Sequence, residues 1–272
     1  MKKTNILIII FVAIVLLVLA VVLLACTVFV VRHVQVESAV ASSLINEESI
    51  IASGDISIGK SIITFNKDRV ASSIEKNHPY VKVTFVERKF PNTVIINVTT
   101  RFAIMYLTSQ DGSKVALLDS ELKVLEIRAS SEADALQLTA VSGVRFDIPS
   151  EGASALVGTF LEVDENEKMK ILIDIARASN DPNLDLADAS FKTFFKQIEF
   201  KTYDKGYYVH ILTNTGVTFV LDTALSTSVY QQLSLCKFFY DSTDVELNKS
   251  TGYIFLDKTS DRVAYKWSES IE

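Results

Sequence analysis

The sequence predicts an α+β protein that follows a single N-terminal membrane-spanning helix. Residues 6–31 contain no charged side chain. In the next 70 or so residues, the spacing of apolar side chains predicts a strand, two helices and two further strands in that order, which indicates a compact βααββ unit. The remainder, up to Trp267, is rich in alternating β-branched and aromatic residues with two helical stretches. We therefore expect a second, mostly antiparallel β domain with two helices.

The apolar run at residues 6–31 is long enough to cross a bilayer. About 20 apolar residues span the hydrocarbon core as a helix, whereas a cleaved signal peptide has an apolar centre of about 7–15 residues and a small-residue cleavage site. The run therefore predicts a retained transmembrane helix. Because Lys2 and Lys3 precede it, residues 1–5 are predicted to be a cytoplasmic tail and everything after the run to lie outside.

The composition after the apolar run argues against some classes of function. Without Lys2 and Lys3, 25 Lys and Arg residues face 33 Asp and Glu residues, a net charge of −8. Nucleic-acid binding depends on neutralising phosphates, so this acidic chain is a poor candidate for it. Cys26 lies within the run and Cys236 beyond it, which excludes a disulfide framework. Cys236 falls in an apolar helical pattern and is predicted to be a small core residue.

The sequence pattern of residues 32–100 predicts each element of the βααββ unit. A short strand at 33–38 is followed by helices near 46–53 and 67–77, the second capped by Asn66. Two strands at 81–85 and 93–98 then alternate apolar and polar positions. Their predicted inward residues are Val81, Val83, Phe85, Val94, Ile96 and Val98.

Within this unit, residues 54–61 read GDISIGKS and match the spelling of a phosphate-binding P-loop. A working P-loop joins a buried strand to a helix whose N-terminus faces the phosphates. Here Ser61 is followed by IITF, which favours a strand or turn, and the preceding stretch suits a short helix. We therefore reject nucleotide binding and interpret the stretch as a connection into the second helix.

The strongest family signal lies at residues 79–101. It consists of Pro79-Tyr80-Val81, alternating apolar positions, an Arg, and Pro-x-Thr leading into a second alternating strand; the matching residues are Pro79, Tyr80, Val81, Val83, Val86, Arg88, Pro91, Thr93, Ile96, Val98 and Arg101. This stretch resembles the POTRA domain of the bacterial division proteins FtsQ and DivIB, a family with one N-terminal anchor directly before that domain. Two positions depart from the family pattern: Thr100 replaces the usual Glu, and Ala103 stands where Pro is common.

Residues 101–267 resemble the second, β-rich domain of the same family, and residues 268–272 are left as a tail. Strands are predicted around 103–107, 115–119, 197–200, 207–212 and 217–222, with a polar turn at 109–113. Helices are predicted at 164–179, with Met169, Leu172, Ile173 and Ala176 inward, and near 225–240, with Val229, Leu233, Cys236 and Tyr240 inward. A closing hairpin at 252–267 ends on Trp267.

Residue patterns for catalysis or metal binding are missing from the sequence. His33, His78 and His210 have no second ligand at metal spacing, and no G-x-S-x-G elbow occurs. Pairs of acids, such as Asp185 with Asp188, lie in polar stretches typical of solvated surfaces. We therefore expect no enzymatic activity and no cofactor.

The resemblance implies a divisome scaffold at the septum, in the bacterial cytoplasmic membrane with the C-terminal domain outside. In this family the C-terminal end of the β domain binds FtsL-like and FtsB- or DivIC-like bitopic proteins and helps regulate septal peptidoglycan synthesis. The predicted partner-binding residues here are Asp257, Lys258, Val263, Ala264, Tyr265, Lys266 and Trp267. An alternative structural role is that Tyr265 and Trp267 only close the core.

Two other classes of function stay open from the sequence. A membrane-anchored secretion or sporulation assembly protein also fits an anchor followed by a POTRA domain. An envelope enzyme would need a polar cluster in a pocket, and the sequence shows no such pattern.

Overall fold

The computed structural model describes residues 2–38, 45–163, 165–242, 247–259 and 262–270. The chain forms two compact units, Met1–Arg101 and Phe102–Glu272. The first unit contains α1 (Lys2–Thr27), β1 (His33–Ser38), α2 (Glu47–Ser53), α3 (Lys67–Asn77), β2 (Val81–Lys89) and β3 (Thr93–Thr100). Its βααββ order after α1 confirms the predicted arrangement.

Side-chain caps fix where the two short helices of the first unit begin. Asn46 accepts a hydrogen bond from the Ser49 N–H at 3.0 Å and starts α2. Asn66 does the same for the Arg69 N–H at 3.0 Å and starts α3. Each cap satisfies a backbone donor that the first helical turn leaves without a partner.

The first unit has a three-stranded sheet in the order β1-β3-β2, with β1 parallel and β2 antiparallel to the central strand β3. The helices cover one face of this sheet and share a core with it. That core consists of Val31, Ile50, Ile62, Val70, Ile74, Val81, Val86, Val94, Ile96 and Val98.

One predicted inward residue of this sheet faces the other way. The register between β2 and β3 shifts between Val83 and Phe85, which is the mark of a β-bulge. An extra residue in one strand exchanges its inward and outward positions. Phe85 is therefore 54% exposed, and Val86 takes its place in the core.

The P-loop spelling at residues 54–61 has no P-loop structure. It follows the helix α2 rather than a strand, and α3 begins only at Lys67. Residue Gly59 adopts a left-handed φ of 84° within a series of turns. The interpretation as a connection between two helices is confirmed.

The apolar run at residues 6–31 lies mostly in α1. In the part of the chain that the structure describes, no helix is both long enough and apolar enough to cross a membrane. The membrane-spanning role of the run therefore stays a prediction.

The second unit is built on a nine-stranded sheet in the order β12-β11-β10-β9-β8-β7-β4-β5-β6. Its elements are β4 (Met105–Ser109), β5 (Lys114–Leu118), β6 (Val124–Ala129), β7 (Thr139–Phe146), α4 (Asn166–Arg177), α5 (Asp188–Phe194), β8 (Phe195–Tyr203), β9 (Gly206–Thr213), β10 (Thr218–Asp222), α6 (Val229–Asp241), β11 (Tyr253–Thr259) and β12 (Arg262–Ser268). Three neighbouring pairs are parallel, namely β4 with β7, β7 with β8, and β10 with β11; the other five are antiparallel. The expectation of a mostly antiparallel sheet is confirmed.

The helices of the second unit correct the prediction in two respects. The described residues of this unit form three α-helices rather than two. The helix that was not predicted is α5, which lies directly before β8. In α4 the predicted inward residue Ile173 is exposed, whereas Ile171 and Ile175 are buried. The inward face predicted for α6 is confirmed, since Val229, Leu233, Cys236 and Tyr240 are all buried.

Candidate functional site

The C-terminal hairpin of β11 and β12 forms one end of the nine-stranded sheet. Strand β11 pairs with β10 in parallel over three residues, and β12 pairs only with β11 among the described strands. The outer side of β12 is thus a row of backbone groups at a sheet edge. Such an edge can hydrogen-bond a strand from another chain.

All seven predicted partner-binding residues lie in this hairpin. The pairing joins Asp257 with Ala264, Lys258 with Val263, Leu256 with Tyr265, Phe255 with Lys266, and Ile254 with Trp267. The structure describes the side chains of Lys266 and Trp267. The other five predicted side chains, those of Asp257, Lys258, Val263, Ala264 and Tyr265, lie outside the described part. Their role in partner binding stays a prediction.

Trp267 anchors the base of the hairpin. Its half-buried ring packs against the main core of the second unit, and its Nε1–H donates to the carbonyl oxygen of Thr251 at 3.3 Å. Gly252 lies directly beneath the indole: a Cβ there would come within 2.5 Å of Nε1. A partly buried indole whose N–H has a hydrogen-bond acceptor is a typical structural anchor. Trp267 therefore has a packing role, whatever it contributes to a partner.

Lys266 lies on the other face of β12, one residue before Trp267. Its side chain is exposed, and its ammonium group lies 6.0 Å from the ring centre of Phe255 on the neighbouring strand. This is within the range of a cation–π interaction at an exposed site. The described part of this face thus combines one positive charge with an aromatic ring beside the sheet edge.

The helix α6 supports the hairpin from within the core. The Sγ atom of Cys236 lies 3.9 Å from the carbonyl oxygen of Ile254, which belongs to β11. Complete burial raises the pKa of the Cys236 thiol, so it stays neutral. A buried neutral thiol is an unreactive core group, as the sequence pattern predicts.

A cavity of about 270 Å³ adjoins β11 through Phe255 and Leu256. Its polar lining is largely held by internal contacts. The Gln232 side chain accepts from the Asp222 N–H at 2.9 Å and donates to the carbonyl oxygens of Asp222 and Thr227. Burial, with a contribution from Lys201, lowers the pKa of the lining residue His210. The three Gln232 hydrogen bonds stabilise the loop before α6.

Two further observations concern chemistry in the described residues. No three His, Cys, Asp or Glu side chains come together there as a possible metal site. The Tyr203 hydroxyl donates to Asp222 at 2.5 Å, and this hydrogen bond raises the pKa of Tyr203 to about 12. Asp222, which lines the cavity, is therefore held by a structural contact.

Residues 29–101 match the family description "POTRA domain, FtsQ-type". The cell division protein DivIB of Clostridium acetobutylicum is 25% identical over 214 residues, which cover 78% of this chain and 79% of that protein. The chain therefore contains a segment similar to an FtsQ-type POTRA domain and resembles DivIB over most of its length. The DivIB of Clostridium tetani is 31% identical over 101 residues, or 37% of this chain and 36% of that protein.

Sequence reasoning located the hairpin but missed what holds it in place. The contact of Trp267 with Thr251 and Gly252 brings together residues 15 or more positions apart, and the ring fits because Gly252 has no Cβ. The available signal was a glycine immediately before a predicted strand, which often marks a close approach of another group.

Proposed function

We propose that this chain is a cell-division protein of the FtsQ/DivIB family that works as a non-enzymatic scaffold at the septum. In this proposal α1 anchors it in the cytoplasmic membrane, with a short N-terminal tail inside and both folded units outside. The C-terminal hairpin binds FtsL-like and FtsB- or DivIC-like proteins, and through them influences septal peptidoglycan synthesis. The similarity to DivIB over 78% of the chain is the observation that supports this role most strongly.

The open edge of β12 supports binding by strand addition. A partner strand would pair with backbone groups, so the main chain would supply much of the affinity, and alternate side chains would supply specificity. The exposed Lys266 lies beside this edge, while Trp267 keeps the strand in register from the core side.

The anchoring part of the proposal rests on the composition of α1. Every α1 side chain that the structure describes between Ile8 and Leu23 is apolar and exposed. A helix that is apolar on all sides needs an apolar environment on all sides. A lipid bilayer provides that environment.

Proline substitutions in β12 test the binding edge. Along an antiparallel edge strand, N–H groups point alternately toward the neighbouring strand and away from it. Proline has no backbone N–H. Because Ala264 and Tyr265 are adjacent in β12, proline at one position removes an N–H that points outward, and proline at the other removes an N–H that donates to β11. We expect the variant without the outward donor to stay folded by circular dichroism and to lose at least tenfold in co-purification of its FtsL- and DivIC-like partners.

The controls are Ala264→Gly and Tyr265→Ala, which keep the backbone donors. Tyr265→Ala measures what the side chain contributes, and Trp267→Phe measures the loss of the bond to Thr251. If both proline variants remain folded and retain both partners, the binding edge lies elsewhere in the chain.

Localisation separates the division role from the alternative of a secretion or sporulation assembly protein. A fluorescent fusion of the full chain should concentrate at mid-cell in growing, dividing cells. Uniform membrane fluorescence in those cells, with recruitment only during sporulation or secretion, would contradict the division role.

A further inference from the structure

The segment that follows α1 is hydrogen-bonded to a loop of the first unit within a few residues of Thr27. The Ile62 N–H donates to the carbonyl oxygen of Phe29 at 3.0 Å. The Val31 N–H donates to the carbonyl oxygen of Lys60 at 2.9 Å. The Gly59 N–H returns a bond to the Val31 carbonyl at 2.8 Å. The loop at residues 58–63 is therefore tied to the segment that leaves α1.

A second loop is tied to the same segment. The N–H groups of Arg32 and His33 both donate to the carbonyl oxygen of Asn92, at 2.8 and 3.2 Å. The rings of Phe29 and Phe90 lie edge to face with their centres 6.0 Å apart. Strands β1 and β3 begin at this end of the sheet and β2 ends there. Both loops thus lie at the end of the first unit nearest to α1.

These loops expose apolar side chains that the core of the unit does not use. Ile58 is 62% exposed, Ile63 51% and Phe90 58%. Val28, immediately after α1, is also exposed. In the described part of the first unit after α1, the remaining large exposed apolar side chain is Phe85, at 54%, in the middle of β2. Exposed apolar residues are therefore concentrated at one end.

Basic side chains accompany them. Arg32, Lys60 and Lys89 are exposed at the same end. The nearby carboxylate of Asp55 is 2.7 Å from the guanidinium group of Arg69. An apolar surface bordered by Lys and Arg is the pattern of a protein face that lies in a membrane interface.

We propose that this end of the first unit, formed by Val28, Arg32, Ile58, Lys60, Ile63 and Phe90 and here called the rim, lies in the headgroup layer of the bilayer. The inference rests on the proposed anchoring by α1. Ile58, Ile63 and Phe90 enter the boundary between headgroups and acyl chains, and Lys60 and Arg32 contact lipid phosphates. A membrane is favoured over a protein partner because the rim is continuous with the apolar helix.

Distances along the chain agree with this placement. Four residues separate Thr27 from Arg32, and an extended chain covers at most about 3.6 Å per residue. Val31, to which the loop is hydrogen-bonded, therefore lies at most about 14 Å from the end of α1, or no more than about two to three times the thickness of a headgroup layer of about 5–8 Å. Lys60, the apparent P-loop lysine, would then meet the phosphate of a lipid rather than that of a nucleotide.

Fluorescence quenching in vesicles tests the rim. The full chain carrying Phe90→Trp is reconstituted in vesicles of equal parts phosphatidylcholine and phosphatidylglycerol, with part of the lipid brominated near the carbonyl end of its acyl chains. The matched control is Phe85→Trp. Phe85 is similarly exposed, but it lies in β2 five residues before Phe90, or about 16 Å away from the rim along the strand. The unsubstituted chain, with Trp267 alone, supplies the background.

We expect the tryptophan introduced by Phe90→Trp to be quenched at least threefold more than that introduced by Phe85→Trp. Flotation of the same vesicles reports the anchor separately. If the chain floats with the vesicles and the two positions are quenched equally, the rim proposal is overturned while the anchor stands. If the chain does not float, the proposed anchoring fails and the rim proposal with it.

Charged substitutions provide a second, independent measurement. Ile58→Asp combined with Ile63→Asp places two carboxylates where apolar side chains are proposed to insert. In the Phe90→Trp background this pair should reduce quenching at least twofold, provided that circular dichroism shows the unit folded. Ile58→Ser with Ile63→Ser, a milder pair, serves if the first does not fold. Unchanged quenching with a folded variant would also overturn the proposal.

Discussion

At the residue scale, two arginine–carboxylate pairs of the first unit differ mainly in burial. The Arg101 guanidinium lies 3.0 Å from Glu75, and both side chains are largely buried. The same carboxylate accepts the backbone N–H of Val83 at 2.9 Å. Arg69 lies 2.7 Å from Asp55, but both of these side chains are largely exposed. The first pair joins α3 to the ends of two strands, whereas the second is solvated.

This difference predicts unequal effects of removing each arginine. Arg101→Ala removes the guanidinium charge that lies 3.0 Å from a largely buried carboxylate, so we expect it to lower the free energy of unfolding of the first unit by about 3 kcal/mol. Arg69→Ala, the matched control, should change it by less than about 1 kcal/mol because water screens an exposed pair. Hydrogen exchange of the β3 amides, followed by mass spectrometry in the full chain, measures both. Equal exchange rates in the two variants would show that burial does not set the strength of the first pair.

At the scale of elements, the sequence specifies those parts of the fold that depend on local signals. Asn46 and Asn66 are caps that can be read directly from the chain, and α2 and α3 begin immediately after them. The α6 face was predictable because its apolar residues repeat at helical spacing. The β-bulge near Phe85 was not predictable, because one extra residue changes the period without any change of composition.

The candidate site shows the same division between local and long-range information. Alternation predicts the hairpin of β11 and β12, and the structure forms it. Its place at the sheet edge depends on the parallel pairing of β10 with β11, which are separated in sequence by α6. Strand β7 was missed for a related reason, because it pairs with β4 and β8, which lie far from it in sequence. Strand β6 pairs with its neighbour β5 across a short turn, but there Leu122, and not a glycine, has the left-handed φ of 61°.

A bulge in β7 is the element-scale feature most open to test. The register between β7 and β4 jumps from Leu107 with Val141 to Thr108 with Arg145. Gly143 lies within this jump at a φ of +79°, and a Cβ there would be 2.5 Å from the carbonyl oxygen of Phe200 on β8. Both the backbone conformation and the close approach require glycine.

We therefore expect Gly143→Ala to lower the free energy of unfolding of the second unit by about 3 kcal/mol, from backbone strain and overlap together. Gly112→Ala is the matched control: it has a φ of +73° but nothing within 4 Å of the added methyl group. Strain alone should cost about 1 kcal/mol. Urea unfolding followed by the fluorescence of Trp267 reports both. A Gly143→Ala midpoint no lower than that of Gly112→Ala would mean that β8 moves aside without cost.

At the scale of the whole molecule, the two units have separate hydrophobic cores. Among the described residues, the core of the first unit draws on positions 31–98 and that of the second on positions 104–256, and the two sets share no member. Each core is large enough to belong to a domain that folds by itself. Damage to one core should therefore leave the other intact, which a scaffold with separate anchoring and binding units would need.

Ile96→Asp tests this independence. Ile96 is fully buried in the central strand of the first unit, so an unpaired carboxylate there should cost on the order of 5 kcal/mol and unfold the unit. Asn97→Asp, on the opposite face of the same strand and only partly buried, is the matched control and should cost less than about 1 kcal/mol. Trp267 is the single tryptophan and lies in the second unit, so its fluorescence reports the urea unfolding of that unit. The urea midpoint measured in this way should stay unchanged in both variants. The β3 amides of Ile96→Asp, by contrast, should lose their protection from hydrogen exchange. A lowered Trp267 transition in Ile96→Asp alone would show that the second unit depends on the first for its stability.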